Sequence, residues 1–119
     1  MAVNESDLHD ILGIGHETSM RGKGISLRAA LRKTRYKDLR AVFGAQDLLP
    51  IIDKHQSLVD EWIAYSQDKR TPAGWGLYEG GVIGRINAPD SQIRFRSLNE
   101  AVSEYVVREL DYWAEIDNQ

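Results

Sequence analysis

Tyr65, Ser66, Asp68, Lys69, Arg70 and Thr71 form one polar stretch, and Trp75 and Tyr78 follow it closely. Phenols, an indole, a carboxylate and cations gathered in this way are the groups that line binding sites, because rings supply rigid area and charged tips supply directional hydrogen bonds. The candidate recognition residues are Tyr65, Asp68, Arg70, Tyr78 and Arg85, expected to meet where a helix gives way to a hairpin. Trp, Tyr and Arg are enriched at the centres of protein interfaces, so the partner expected here is another protein, whose identity no motif specifies. The same residues also fit a plain surface turn, with Trp62 and Trp75 in the core.

A second stretch is basic. Residues 21–40 carry eight cations against Asp38, a local charge of +7 in a chain whose net charge is −3. Such a block attracts phosphate or an acidic surface unless the acidic remainder of its own fold neutralises it. It supports an alternative reading as a nucleic-acid site built on Lys23, Arg28, Arg32, Arg35 and Arg40. Gly22 and Gly24 flank Lys23 just before Ser26, a possible helix start, and backbone amides beside a lysine can hold an anion. The spacing is not that of a P-loop, because Gly24-Ile25 rather than Ser or Thr follows Lys23. An enzyme acting on a phosphate-bearing substrate is therefore the third reading.

Other chemistries have less support. The chain has no cysteine, which excludes disulfides, thiolate nucleophiles and cysteine-bound metals. His9, His16 and His55 are scattered, with neither an HExxH motif nor an i, i+4 pair, so no metal site is expected. There is no GxSxG elbow. No catalytic residue and no cofactor is assigned, and a non-catalytic binding or protein-interaction module is the leading expectation. No apolar run is long enough to span a bilayer, and the acidic start does not resemble a secretion signal. A soluble, cytoplasmic protein is expected, with no membrane partner and with its oligomeric state unassigned.

These residues must be positioned by a fold that 119 residues can build as a single domain, residues 1–119, with an ordinary 42% hydrophobic and 28% charged composition. The pattern predicts an α+β fold: short N-terminal helices packed with a three-stranded antiparallel β-meander and closed by one long C-terminal amphipathic helix. Ser6 is the expected cap of the first helix, and the glycine-rich residues 13–24 read as a loop. Ser26 and Thr34 are expected to cap two short basic helices, Asp47 a third with Pro50 in its first turn, and Ser57 a fourth reaching about Gln67.

Gly80-Gly81 predicts a two-residue hairpin turn. Tyr78 would then oppose Ile83 and Leu77 would oppose Gly84. That register places Trp75, Leu77, Val82 and Ile86 on one face, and Tyr78, Ile83 and Arg85 on the other. Ile93 and Phe95 alternate with Arg94 and Arg96 in a third strand over residues 92–96. Ser97-Leu98-Asn99-Glu100 is a capping box that opens the long helix, about 98–116, with Leu98, Ala101, Val102, Tyr105, Val106, Leu110 and Trp113 along its apolar stripe.

Overall fold

The structure, a computed structural model, describes residues 4–18, 25–69 and 73–115. It is mixed helix and strand. The helices run α1 (Glu5–Leu12), α2 (Ile14–Thr18), α3 (Leu27–Lys33), α4 (Tyr36–Leu39), α5 (Ala45–Lys54) and α6 (Ser57–Gln67). Strands β1 (Trp75–Tyr78), β2 (Val82–Arg85) and β3 (Ile93–Arg94) form an antiparallel sheet in the order β1-β2-β3, and α7 (Leu98–Trp113) closes the chain. Helix α7 packs against α5, α6 and the first two strands. Its buried residues Val102, Tyr105, Val106 and Leu110 join one apolar cluster with Trp62, Tyr36, Leu48, Ile52 and Ile83. No helix among the described residues is long and apolar enough to cross a membrane.

The local chemistry of the helix starts is partly as expected. Ser26 accepts from the Ala29 N–H at 3.1 Å and Ser97 from the Glu100 N–H at 3.2 Å, each satisfying a donor that the first helical turn leaves free. The cap of α1 is Asn4 rather than Ser6, accepting from the Asp7 N–H at 2.8 Å. Asp47 does not cap α5 but reaches back from its first turn to the Gly44 N–H at 2.8 Å, so the helix begins earlier and Pro50 falls in its interior. Thr34 bonds back to the Ala30 carbonyl at 3.0 Å, leaving Arg35 at the start of α4 with no side-chain cap. Gln56 precedes α6, and Ser57 is its first residue.

Part of the expected glycine-rich loop is helix α2; residues 19–24 lie outside the described residues. Tertiary packing overrides the weak local pattern there. Ile14 is fully buried, and Gly15 lies so close to the Trp62 ring that an added Cβ would sit 3.0 Å from it. Trp62 in turn donates its Nε1–H to the Leu12 carbonyl at 2.9 Å, which locks α1 and α2 onto α6.

The hairpin register differs from the expectation by one residue. Tyr78 opposes Val82, Leu77 opposes Ile83 and Trp75 opposes Arg85, so the loop is Glu79-Gly80-Gly81. Both glycines have positive φ, +78° and +75°, and the Gly81 carbonyl accepts from the Phe95 N–H at 2.9 Å. That bond assigns Gly81 to the contact with the third strand and enlarges the turn by one residue. Because directly opposed residues share a face, Leu77, Ile83, Trp75 and Arg85 lie on one side of the sheet and Tyr78 and Val82 on the other. The third strand is shorter than expected, and Leu98 is 40% exposed instead of joining the apolar stripe.

Candidate functional site

Helix α7 is buried around most of its circumference, and two of its inward positions are acids, Glu109 and Asp111. A carboxylate withdrawn from water is stable only with donors and a counter-charge, and each has both. Glu109, with no exposed surface, accepts from the Tyr65 hydroxyl at 2.7 Å, the Trp75 N–H at 2.8 Å, Trp113 Nε1 at 2.9 Å and Lys69 Nζ at 3.0 Å. Gly74 completes the enclosure: its φ is +85°, and a Cβ there would fall 2.5 Å from Glu109 Oε1. Asp111 accepts from the Tyr36 hydroxyl at 2.6 Å and from Arg40 Nε at 2.9 and 3.1 Å.

The surrounding phenols are perturbed accordingly. Burial, reinforced by Asp111, pushes the Tyr36 hydroxyl far above the ordinary tyrosine range; burial and Glu109 do the same to Tyr65. Tyr105 is raised by burial and then by Glu109. Its hydroxyl faces Ser66, whose oxygen is engaged with Leu77, and it makes no well-formed hydrogen bond among the described residues. Burial is the largest single influence on Arg40 and works against its charge, but the bond to Asp111, the Asp111 charge and Tyr36 together outweigh it and raise the guanidinium's pKa.

The same groups close the free edge of the sheet. On β1 the outward Trp75 N–H is held by Glu109 and the Trp75 carbonyl by Lys69 Nζ at 3.0 Å. Ser66 Oγ accepts from the Leu77 N–H at 2.9 Å and lies 3.5 Å from the Leu77 carbonyl. An edge whose donors and acceptors are engaged by side chains cannot template another strand. Tyr65, Ser66 and Lys69 therefore join the helix to the sheet and build the elbow from within.

The expected recognition residues that are described have different surroundings. Tyr65 has its hydroxyl on Glu109, Asp68 is exposed at the end of α6, and Arg70 lies outside the described residues. Tyr78 and Arg85 occupy opposite faces of the hairpin. Tyr78, 43% exposed, lies back over Gly76, whereas Arg85 sits 5.6 Å from the centre of the Tyr112 ring. The histidines also stay apart from the elbow. His9 and His55 make an edge-to-face ring contact at 5.1 Å, and His16 lies 3.7 Å from Glu61. Among the described residues no group of three or more side chains is placed to hold a metal ion.

The basic segment divides into two parts. Arg40 turns inward to Asp111 and donates to the Phe43 carbonyl at 2.8 Å, so it is tied into the fold although its side chain stays 28% exposed. Arg28 and Arg32 stand one turn apart on α3, Arg35 follows in the turn, and Lys37 comes from α4. These four cations, with Trp113 from the end of α7, line a cavity of about 350 Å³. Leu31 contributes apolar wall, and Asp38 and Glu115 are the two acids of the lining, leaving positive charge in excess.

Arg35 holds a left-handed backbone, φ 56° and ψ 37°, and Glu115 has φ 59°. Two of the three non-glycine residues with positive φ among the described residues thus border this cavity. Arg35 also touches Asp7 at 3.5 Å across an exposed gap. Lys23 lies outside the described residues.

Lys37 and Trp113 are members of the cavity that the sequence reading did not select. Lys37 lay within the charged block, but Trp113 could be read only as part of the apolar stripe of α7. Comparison of the chain with protein-family models, with curated proteins and with solved structures finds no match.

Proposed function

We propose that this protein is a small non-catalytic binding module that recognises nucleic acid through the cation-lined cavity between α3, α4 and the end of α7. The observation that carries the reading is the meeting of Arg28, Arg32, Arg35 and Lys37 around one concavity. Three of the four are arginines, whose planar forks match phosphate oxygens bidentately. The chain as a whole is at −3, so a polyanion gains most where this positive charge is concentrated.

Two further observations favour this reading over a protein interface at the elbow. The elbow's polar groups Tyr65, Ser66 and Lys69 are engaged inside the fold. The apolar part of the cavity lining is Leu31, Trp113 and Ala114 beside four cations, and the exposed large apolar residues Val42, Tyr78, Leu98 and Tyr112 lie outside it, so no broad apolar patch of the kind on which protein partners anchor surrounds it.

The test is fluorescence anisotropy with a labelled oligonucleotide at two salt concentrations, with a polyglutamate peptide as a second probe. Binding at low salt should weaken with a log–log slope of about −2 to −3, as expected for three or four neutralised phosphates on a single strand. It should be lost in the Arg28→Glu, Arg32→Glu double variant. No binding at low salt overturns the reading, and equal binding of polyglutamate reassigns the cavity to an acidic protein partner.

A further inference from the structure

The cavity holds more than charge. Trp113 lines it together with the arginines, and its Nε1–H is fixed on the buried Glu109 carboxylate at 2.9 Å. Lys69 lies 6.0 Å from the ring centre, and the Tyr112 ring packs edge-on at 5.1 Å. An indole tethered in this way has little rotational freedom left to lose when a ligand packs on it, and preorganisation of that kind favours binding. A rigid aromatic surface beside a row of phosphate-binding cations is the combination by which single strands are held: the cations track the backbone while an unpaired base stacks on the ring.

The size of the cavity agrees. At about 350 Å³ it is near the small end of the range of ligand pockets, roughly 300–1,000 Å³, which suits one nucleotide unit and not the breadth of a duplex. In a duplex every base is already stacked and paired, and none is free to enter. Both residues of the lining that hold left-handed backbone, Arg35 and Glu115, border the place where a base would sit, and departures from low-energy backbone of this kind gather at binding sites.

Resting on the nucleic-acid reading above, we infer that the cavity is a single-strand site in which one unpaired base stacks against Trp113 while Arg28, Arg32, Arg35 and Lys37 hold the flanking phosphates. Specificity is then for strandedness first, because every base has a face to stack on the ring.

The experiment varies the ligand, so that the protein stays intact. The chain, with no residue substituted for another, is titrated with a thymidine oligonucleotide, with an abasic phosphodiester chain of the same length, and with a duplex of that length, all at one low salt concentration. The chain carries 5-fluorotryptophan at its three tryptophans, and the fluorine resonance of Trp113 is followed. The thymidine strand should bind at least about fivefold more tightly than the abasic chain, the smallest effect expected of one stacked base, and should bind more tightly than the duplex. It should shift the Trp113 resonance where the abasic chain does not. Equal affinity for the thymidine and abasic chains overturns the stacking site while leaving phosphate recognition in place, and a duplex bound as tightly as the strand overturns it as well. If neither strand nor abasic chain binds, the nucleic-acid reading itself fails and this inference fails with it.

Discussion

Lys69 Nζ lies 2.9 Å from Glu109 Oε2, with the two side chains only 6% and 0% exposed. They come from just beyond the end of α6 and from the second half of α7, and the backbone of β1 is bonded to both. One ion pair therefore fastens three elements at a point where the chain changes from helix to sheet.

Removing one partner leaves the other charge buried, which typically costs about 3–5 kcal/mol. Glu109→Ala and Lys69→Met should each lower the unfolding free energy by that order in denaturant melts. The double variant should lose clearly less than the sum, since no charge is then stranded. Simple additivity of the two losses would show that they are not partners in the folded chain.

Gly74→Ala should be costly for two independent reasons. The residue sits at φ +85°, where a side chain is strained by about 1–2 kcal/mol, and its Cβ would meet Glu109 Oε1 at 2.5 Å. A loss of roughly 2 kcal/mol or more is expected, read as a lowered melting temperature. In a double variant with Glu109→Ala the added penalty of the alanine should shrink toward the backbone component alone.

Tyr36, Tyr65 and Tyr105 all have hydroxyl pKa values raised by burial and by neighbouring carboxylates. For an acid whose folded pKa is raised, the stabilising contribution is complete below the unfolded value, near 10, and disappears as pH rises toward the folded value. Above about pH 10 the unfolded chain has released three protons that the folded chain retains, so stability should fall by about 4 kcal/mol per pH unit. Tyrosinate absorbance followed alongside circular dichroism tests this: these three phenols should ionise together with loss of structure. Their smooth ionisation in a chain that stays folded would contradict the burial described here.

Arg35 separates recognition from stability. Its left-handed backbone suits glycine better than arginine, and its ion pair with Asp7 is long, with the arginine side chain more than half exposed. Arg35→Gly should leave stability unchanged or raise it by up to about 1 kcal/mol. The same change should weaken oligonucleotide binding and make the salt slope shallower by about 0.7. A destabilised variant with undiminished binding would remove Arg35 from the site.

Much of the fold is legible in local pattern. The Ser26 and Ser97 caps, the stripe from Val102 to Leu110 and the i, i+4 pair of Glu104 with Arg108, 3.0 Å apart, all follow from the helical period and from hydrogen bonds made within one turn. So does the meander with its glycine turn. The hairpin register was not legible to the last residue, because the length of the loop depends on the bond between Gly81 and Phe95, which lies outside the hairpin.

Glu109 was readable only as a charge falling on the apolar stripe, four residues after Tyr105, without a sign of what would neutralise it. Its cation is 40 positions away, and that of Asp111 is 71. By itself the sequence determined which face of most helices turns inward and where positive charge is concentrated. Which cation would pair with a buried acid and which would surround a cavity was decided by tertiary packing: Arg40 meets Asp111, while Arg28, Arg32, Arg35 and Lys37 line a cavity with Trp113. Periodicity encodes the side of an element that leaves water, but the partner it meets there depends on how separate elements dock, and a buried charge is stable only where that docking brings it an opposite one.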